Sequence, residues 1–209
     1  FPAHAERYSL HEKRQTFTTR RHLRMIGLTF FNQILMSAAF FAVLTWAYTA
    51  LGGRVKIWPT SAWAVLLHTV IWLIFFDTLY YWSHRMLHTR KLFRSVHRVH
   101  HVFRTPFPYC AICVHPVEYL IAYLIPQVLG AVLFHFSYVE IMAFLSLALL
   151  HSVHDHCGHA YPWDPMRFLS TQNARTHDIH HRDVDVNFSG AFTCLWDRWQ
   201  KTLRLPEDR

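Results

Sequence analysis

Between Arg24 and Arg54 the chain carries no charged side chain, and the apolar run Met25 to Leu51 exceeds the roughly 20 residues a helix needs to cross a bilayer. Gly52 and Gly53 end this run. After Pro59 a second apolar run, residues 61–82, holds Asp77 as its one formal charge. These two segments, 25–51 and 61–82, are predicted spans. A third apolar region, Tyr119 to Leu150, is interrupted by Pro126, Gly130 and Glu140 and is too short for two perpendicular crossings of about 20 residues each. It reads as a short or tilted membrane hairpin within 117–150. The predicted fold is therefore all-α, an integral membrane helical bundle of about four transmembrane or membrane-inserted helices.

The polar positions give the bundle a direction. Arg7, Lys13, Arg14, Arg20, Arg21 and Arg24 lie in the basic segment 1–24, whereas only Arg54 and Lys56 separate the first two spans. Positive charge favours the cytoplasmic side, so the N-terminus is expected there. Two crossings return the chain to that side, where Arg85, Arg90, Lys91, Arg94, Arg98 and Arg104 occur without an acid among them. A hairpin starts and finishes on one side, which delivers 151–209 to the same cytosolic face. That C-terminal part is too rich in Trp, Phe and Leu for a disordered tail, and no internal repeat is present, so 1–209 reads as a single domain.

Composition sharpens the picture. The 209 residues are 52% hydrophobic and 16% aromatic, yet carry a net charge of +8 and 18 histidines. A bundle buried wholly in lipid keeps few ionisable groups, so part of the chain must be wet. The arginines sit next to the spans, where anionic headgroups are their natural partner; nucleic acid is excluded as one. Four cysteines are too few for a disulfide scaffold and suit a reducing compartment. Cys110 and Cys113 form a lone C-x-x-C without a second pair at zinc-ribbon spacing and read as two small buried residues.

The histidines are clustered. His84 and His88 stand at i, i+4 where the second helix leaves the membrane, so both rings lie on one face and can reach one ion. Asp77, two turns before His84, is placed to orient a ligand imidazole. His97-Arg98-Val99-His100-His101 and His177-Asp178-Ile179-His180-His181 share one H-x-x-H-H spacing. On a helix i and i+3 share a face while i+4 lies further round, so each motif can serve two neighbouring ions, and its duplication points to a binuclear site. Neutral imidazole is a good ligand for iron, zinc and copper, and so many imidazoles on one face are costly to gather without a shared partner. In His151-Ser152-Val153-His154-Asp155-His156-Cys157-Gly158-His159, the residues His154 and His156 are favoured to complete the shell. His115 and Glu118 are candidates for the pocket wall, His115 alternatively as a helix-start residue before Pro116. His68 and His135 are isolated on apolar stretches and read as structural.

These boxes and their contexts, Tyr81-Trp82-Ser83-His84-Arg85 and Phe93-Arg94-Ser95-Val96-His97, resemble those of the fatty acid hydroxylase and sterol desaturase superfamily of membrane di-iron enzymes, over about residues 70–205. Within it, the third box followed by Asn187-Phe188 and Trp196-Asp197-Arg198 is similar to the tail of C-4 methylsterol oxidases. His159, Ala160 and Lys201 depart from that pattern. The resemblance implies a histidine-caged pair of iron ions, with zinc possible as isolated, in a cytosolic cap. It also implies O2 as co-substrate, a sterol or acyl lipid as substrate, and electrons from a separate protein such as cytochrome b5. Asp178 and Asn187 are expected beside the ligands or in the pocket, and Tyr80, Phe107, Tyr109 and Tyr123 at the lipid entrance. The location implied is the endoplasmic reticulum in a eukaryote and the inner membrane in a bacterium. Two other classes fit the residues less well. A zinc hydrolase would need an acid such as Glu118 or Asp155 as base, and no H-E-x-x-H occurs; a metal transporter would carry its ligands near mid-membrane rather than outside the spans.

Overall fold

A computed structural model describes residues 6–13, 15–166 and 170–205; Arg14 of the basic N-terminal segment lies outside them. Among the described residues the protein is all helical apart from one isolated bridge between Ser9 and His159. Three helices are long and apolar enough to cross a membrane: α1 (Thr19–Ala50), α2 (Ala62–Leu87) and α4 (Pro116–Leu133). Short helix α3 (Arg90–Ser95) follows α2, α5 (Tyr138–Asp155) follows α4, and α6 (Ala174–Arg182) and α7 (Leu195–Trp199) belong to the polar cap.

Helix α1 begins before the apolar run, with exposed Arg20, Arg21 and Arg24 on its first turns, and contains a π-helical stretch at Phe31–Met36. Its second half, Ser37–Ala50, buries no residue against the protein. Helix α2 starts at Ser61, whose hydroxyl accepts from the Ala64 amide at 3.1 Å, and runs without a break through His84. Asp77 and His84 therefore ride on one rod that leaves the apolar layer at the cap.

The hairpin is longer than its apolar run. His115 caps α4 through Nδ1, which accepts from Val117 N at 3.2 Å, and Pro116 supplies a preset φ at the first helical position. At the other end α5 continues to Asp155, so each arm has 18 residues. At 1.5 Å per residue each arm is about 27 Å long, close to the ~30 Å hydrocarbon layer. Each arm runs a few residues beyond the apolar stretch Tyr119–Leu150, and of the two α4 is the one apolar enough over its length to cross a membrane.

Helices α2 and α4 pack closely at Gly130, where an added Cβ would come within 3.2 Å of Phe75. Helix α5 is locked by Glu140. Its carboxylate accepts from Ser137 N at 2.7 Å, completing a capping box, and it lies 2.8 Å from His68 Nδ1 on α2. His68 also stacks on Phe136 at 4.1 Å, and His135 Nδ1 lies 2.7 Å from the Tyr48 hydroxyl. Both of these isolated histidines sit in structural contacts. The apolar core, with Trp72, Phe76, Phe144 and Phe192 at its centre, fills the space between α2, α4, α5 and the cap. Cys110 and Cys113 are free and buried in a smaller cluster with Met25 and Phe103.

Replacing Glu140 with Ala removes a cap and a buried inter-helix contact at once, and is expected to cost about 2 kcal/mol. A thermal melt in detergent should fall by several degrees with metal content unchanged. An unaltered melting temperature would contradict the role given to Glu140.

Candidate metal centre

Where α2 emerges, nine imidazoles converge in two adjoining groups. His84, His88, His97, His101 and His180 each place one ring nitrogen within 4.8 Å of the others, and His100, His156, His177 and His181 do the same. Eight of the nine are buried and His88 is partly exposed. In the first group the Nε2 atoms of His84 and His97 are 3.1 Å apart, those of His101 and His97 3.0 Å, and those of His180 and His101 3.2 Å. In the second group His177 and His156 approach to 3.0 Å and His156 and His100 to 3.3 Å through the same atoms.

The far side of the rings fixes what those inner nitrogens are. His84 Nδ1 lies 2.6 Å from the Phe188 carbonyl, His180 Nδ1 2.7 Å from that of Val186, and His156 Nδ1 2.7 Å from that of Ser152. A carbonyl only accepts, so each of these Nδ1 atoms carries the proton and each Nε2 presents a lone pair to the centre. His97 Nδ1 faces a carboxylate instead, Glu118 Oε1 at 2.8 Å. Burial holds His97, His100, His101, His177 and His181 well below the ordinary histidine range, and brings His156 and His180 down to about 4. The rings are therefore neutral at physiological pH. Buried lone pairs aimed at one another are unfavourable unless a cation lies between them, and neutral imidazole with a fixed tautomer is the form that binds metal. The donor set fits two adjacent transition-metal ions.

The carbonyl platform under His84 and His180 is itself built by buried side chains. Asp197 accepts from Phe188 N and Ser189 N, both at 2.9 Å, and from the Thr202 hydroxyl at 2.6 Å. Asn187, held at φ +53, donates to the Thr176 and Arg204 carbonyls at 3.0 and 2.8 Å and accepts from Arg204 N at 2.7 Å. It does not face the metal groups directly; it holds the turn between the two carbonyls that do.

Several sequence expectations are corrected. Within each H-x-x-H-H motif the i and i+4 rings share a group, His97 with His101 and His177 with His181, while the i+3 ring, His100 or His180, joins the other group. On α6, at about 100° per residue, His181 at i+4 lies some 40° from His177 and His180 at i+3 some 60° on the other side, so the closer pair stays together. The same partition holds at His97–His101, where the backbone is a 3-10 turn at His97–Val99. His154 is outside both groups: Nε2 lies 2.6 Å from Asp164, on a half-buried flank of α5. His156, just past the helix end, turns inward. His115 serves as the α4 cap. Asp77 does not reach His84, because the C-terminal loop brings Phe192 N to its carboxylate at 2.8 Å. Asp178 is buried but pairs with His11 at 2.8 Å and Arg182 at 2.7 Å, tying the N-terminal segment to α6. Phe107 and Tyr109 pack with each other in the aromatic cluster around Phe103 and Phe17. Tyr80 and Tyr123 line a cavity of about 550 Å³ between the membrane helices. Unforeseen in the sequence were Asp197 as platform anchor and the ring-orienting carbonyls, since a backbone carbonyl leaves no residue-type signal.

Residues 69–202 match the fatty acid hydroxylase family model. The chain belongs to that family. Among curated relatives it is 35% identical over 132 residues to sphingolipid C4-hydroxylase SUR2 of Saccharomyces cerevisiae, covering 62% of this chain and 38% of the relative. It is 31% identical over 160 residues to methylsterol monooxygenase 2-1 of Arabidopsis thaliana, covering 68% and 58%. It is also 35% identical over 160 residues to very-long-chain aldehyde decarbonylase GL1-8 of Oryza sativa subsp. indica, covering 71% and 59%. The chain thus spans well under two thirds of the length of these relatives. No solved structure matches it.

His100→Ala and His180→Ala are each expected to lose metal from their own group, whereas His154→Ala and His115→Ala retain the wild-type content, all read by elemental analysis of purified protein. Asp197→Ala, acting through the carbonyl platform, should weaken metal binding by roughly 10- to 100-fold. Full metal retention in His100→Ala and His180→Ala would overturn the assignment.

Proposed function

We propose that this protein is an O2-dependent oxidoreductase that hydroxylates or dehydrogenates an unactivated carbon of a membrane lipid, with one iron in each histidine group. The observation that carries this reading is the meeting of the metal centre with an apolar cavity. Tyr80 lines the cavity and its ring lies 5.3 Å from that of His84, while Ser152 lines it too and gives its carbonyl to His156. Both groups are thus one residue away from a chamber walled by side chains such as Phe41, Leu124, Val128 and Leu145. Cavities of about 300–1,000 Å³ suit small-molecule ligands, and a wall this apolar between membrane helices suits a lipid.

Bound iron supplies the activation of O2 and the removal of hydrogen from the substrate. Zinc fits the same ligands but is redox-inert; iron is the metal of choice because the chain belongs to the fatty acid hydroxylase family. The chain's own part is to hold nine neutral imidazoles, with His84, His156 and His180 fixed as Nδ1–H tautomers, and to keep water from the reacting carbon. Glu118 is buried with Oε1 2.8 Å from His97 Nδ1, behind the ring and away from the metal-facing nitrogens, which leaves it poorly placed as the base of a hydrolase. Electrons come from a separate carrier such as cytochrome b5. The lysine and arginine distribution supports a centre on the cytosolic face, and the family resemblance supports the endoplasmic reticulum in a eukaryote or the inner membrane in a bacterium.

The substrate is a sterol or a sphingolipid. The Asn187-Phe188 and Trp196-Asp197-Arg198 contexts favour a 4-methylsterol, whereas sphingolipid C4-hydroxylases match over comparable spans at slightly higher identity. Iron-loaded protein incubated with a reductant should convert 4-methylsterols or sphingoid bases in air and not under argon, with products followed by mass spectrometry. Undiminished conversion without O2 would rule out an oxygenase.

A further inference from the structure

The segment that precedes the first span is fastened to the cap at three points. Leu10 N donates to the Gly158 carbonyl at 3.0 Å and Ala160 N donates to that of Tyr8 at 2.9 Å, which makes the antiparallel bridge between Ser9 and His159. His11 Nε2 lies 2.8 Å from Asp178 Oδ1, with the two side chains 8% and 1% exposed. Gln15 N donates to the Thr105 hydroxyl at 2.9 Å, and Arg104 N donates to the Gln15 side-chain carbonyl at 3.1 Å. Gly158, at φ +69, lets these pieces meet: a Cβ there would lie 2.9 Å from the Pro106 carbonyl and 3.8 Å from the His11 ring.

The three points sit on the three segments that supply the second histidine group. Arg104 and Thr105 follow His100 on the loop that leaves the motif His97–His101, Gly158 and Ala160 follow His156, and Asp178 adjoins His177 on α6, which also carries His181. The first group draws His101 and His180 from the same segments but has supports of its own. His84 rides on α2 and His88 caps its end, while His84, His97 and His180 are met from behind by Phe188, Glu118 and Val186. In the second group, Nδ1 of His100 and of His177 has no hydrogen-bond partner among the described residues. The places of those two rings depend on the backbone that carries them, and the N-terminal segment joins that backbone.

We infer that the N-terminal segment is a clasp for the second metal group, with His11 as its positioning residue. The His11–Asp178 contact ties α6 to the loop at Gly158 and so sets His177 and His181 against His156, while Gln15 brings in the loop behind His100. None of the clasp residues falls within 69–202, the region matched by the family model, so the device lies outside the part of the chain that defines the family. The inference rests on the reading of one ion in each group and not on the chemistry proposed for them.

Metal retention tests it without turnover. Zinc-loaded protein in nanodiscs is exposed to rising concentrations of a chelator, and zinc per chain is read by elemental analysis. His11→Ala is expected to release one of two zincs at a roughly 10-fold lower chelator concentration than the wild type, the scale of losing a residue that orients ligands, and to hold the other unchanged. Gln15→Ala should weaken the same zinc by a smaller factor. His11→Gln, which keeps a donor within reach of Asp178, should recover most of the loss, and Glu12→Ala, exposed on the same segment, should match the wild type. Adding His11→Ala to His180→Ala should strip the remaining zinc more easily, whereas adding it to His100→Ala should change nothing. Wild-type retention in both His11→Ala and Gln15→Ala, equal weakening of both zincs, or no recovery in His11→Gln would overturn this inference alone. A wild-type chain that holds one zinc or none would overturn the two-ion reading and the clasp with it.

Discussion

The constraint on which this structure depends is the convergence of imidazole lone pairs at a buried point. Three Nδ1 atoms face backbone carbonyls, which forces His84, His156 and His180 to aim unprotonated Nε2 atoms at neighbours 3.0–3.3 Å away. Such an arrangement is favourable only with a cation among the rings, which is why the cap is read as a metal centre. Much of the C-terminal chain exists to keep those carbonyls in place. Asp197, itself fully buried, spends its oxygens on the turn that carries Phe188, and Asn187 accepts a left-handed backbone conformation to hold it.

The membrane helices are extensions of the same requirement. Helix α2 carries His84 directly out of the apolar layer, α4 begins with Glu118 behind His97, and α5 ends with Ser152 and then His156. Three helices therefore terminate on the centre, and the space between them, closed by α1, is the cavity. The loosely packed second half of α1 closes the remaining side, where no residue of Ser37–Ala50 is buried. An apolar chamber next to a polar site follows from this division of labour: the helix ends are fixed by the rings while the mid-helix surfaces are free to stay apart.

Much of this was legible in the residues, and what was not has physical causes. Charge-free runs and the three histidine boxes pick out the apolar helices and the histidines that converge, because both obey short-range spacing. The partition of the third box between two groups depends on a 20° difference between i+3 and i+4 on an α-helix, and that of the second on a 3-10 turn at His97–Val99, neither of which spacing alone reveals. His154 and His156 look equivalent in sequence; the end of α5 at Asp155 separates them, leaving one ring on the helix flank beside Asp164 and turning the other inward. Asp77 sits two turns from His84 but is claimed by Phe192, 115 positions away in the chain. The pairing of His11 with Asp178 is likewise a long-range contact, which a basic N-terminal segment gives no means to foresee.

The claim at the centre of this account is that the two histidine groups hold two irons. Protein purified from iron-supplied membranes and analysed for metal per chain tests it directly. Close to two irons per chain is the predicted result. One ion or none in well-folded protein would contradict it.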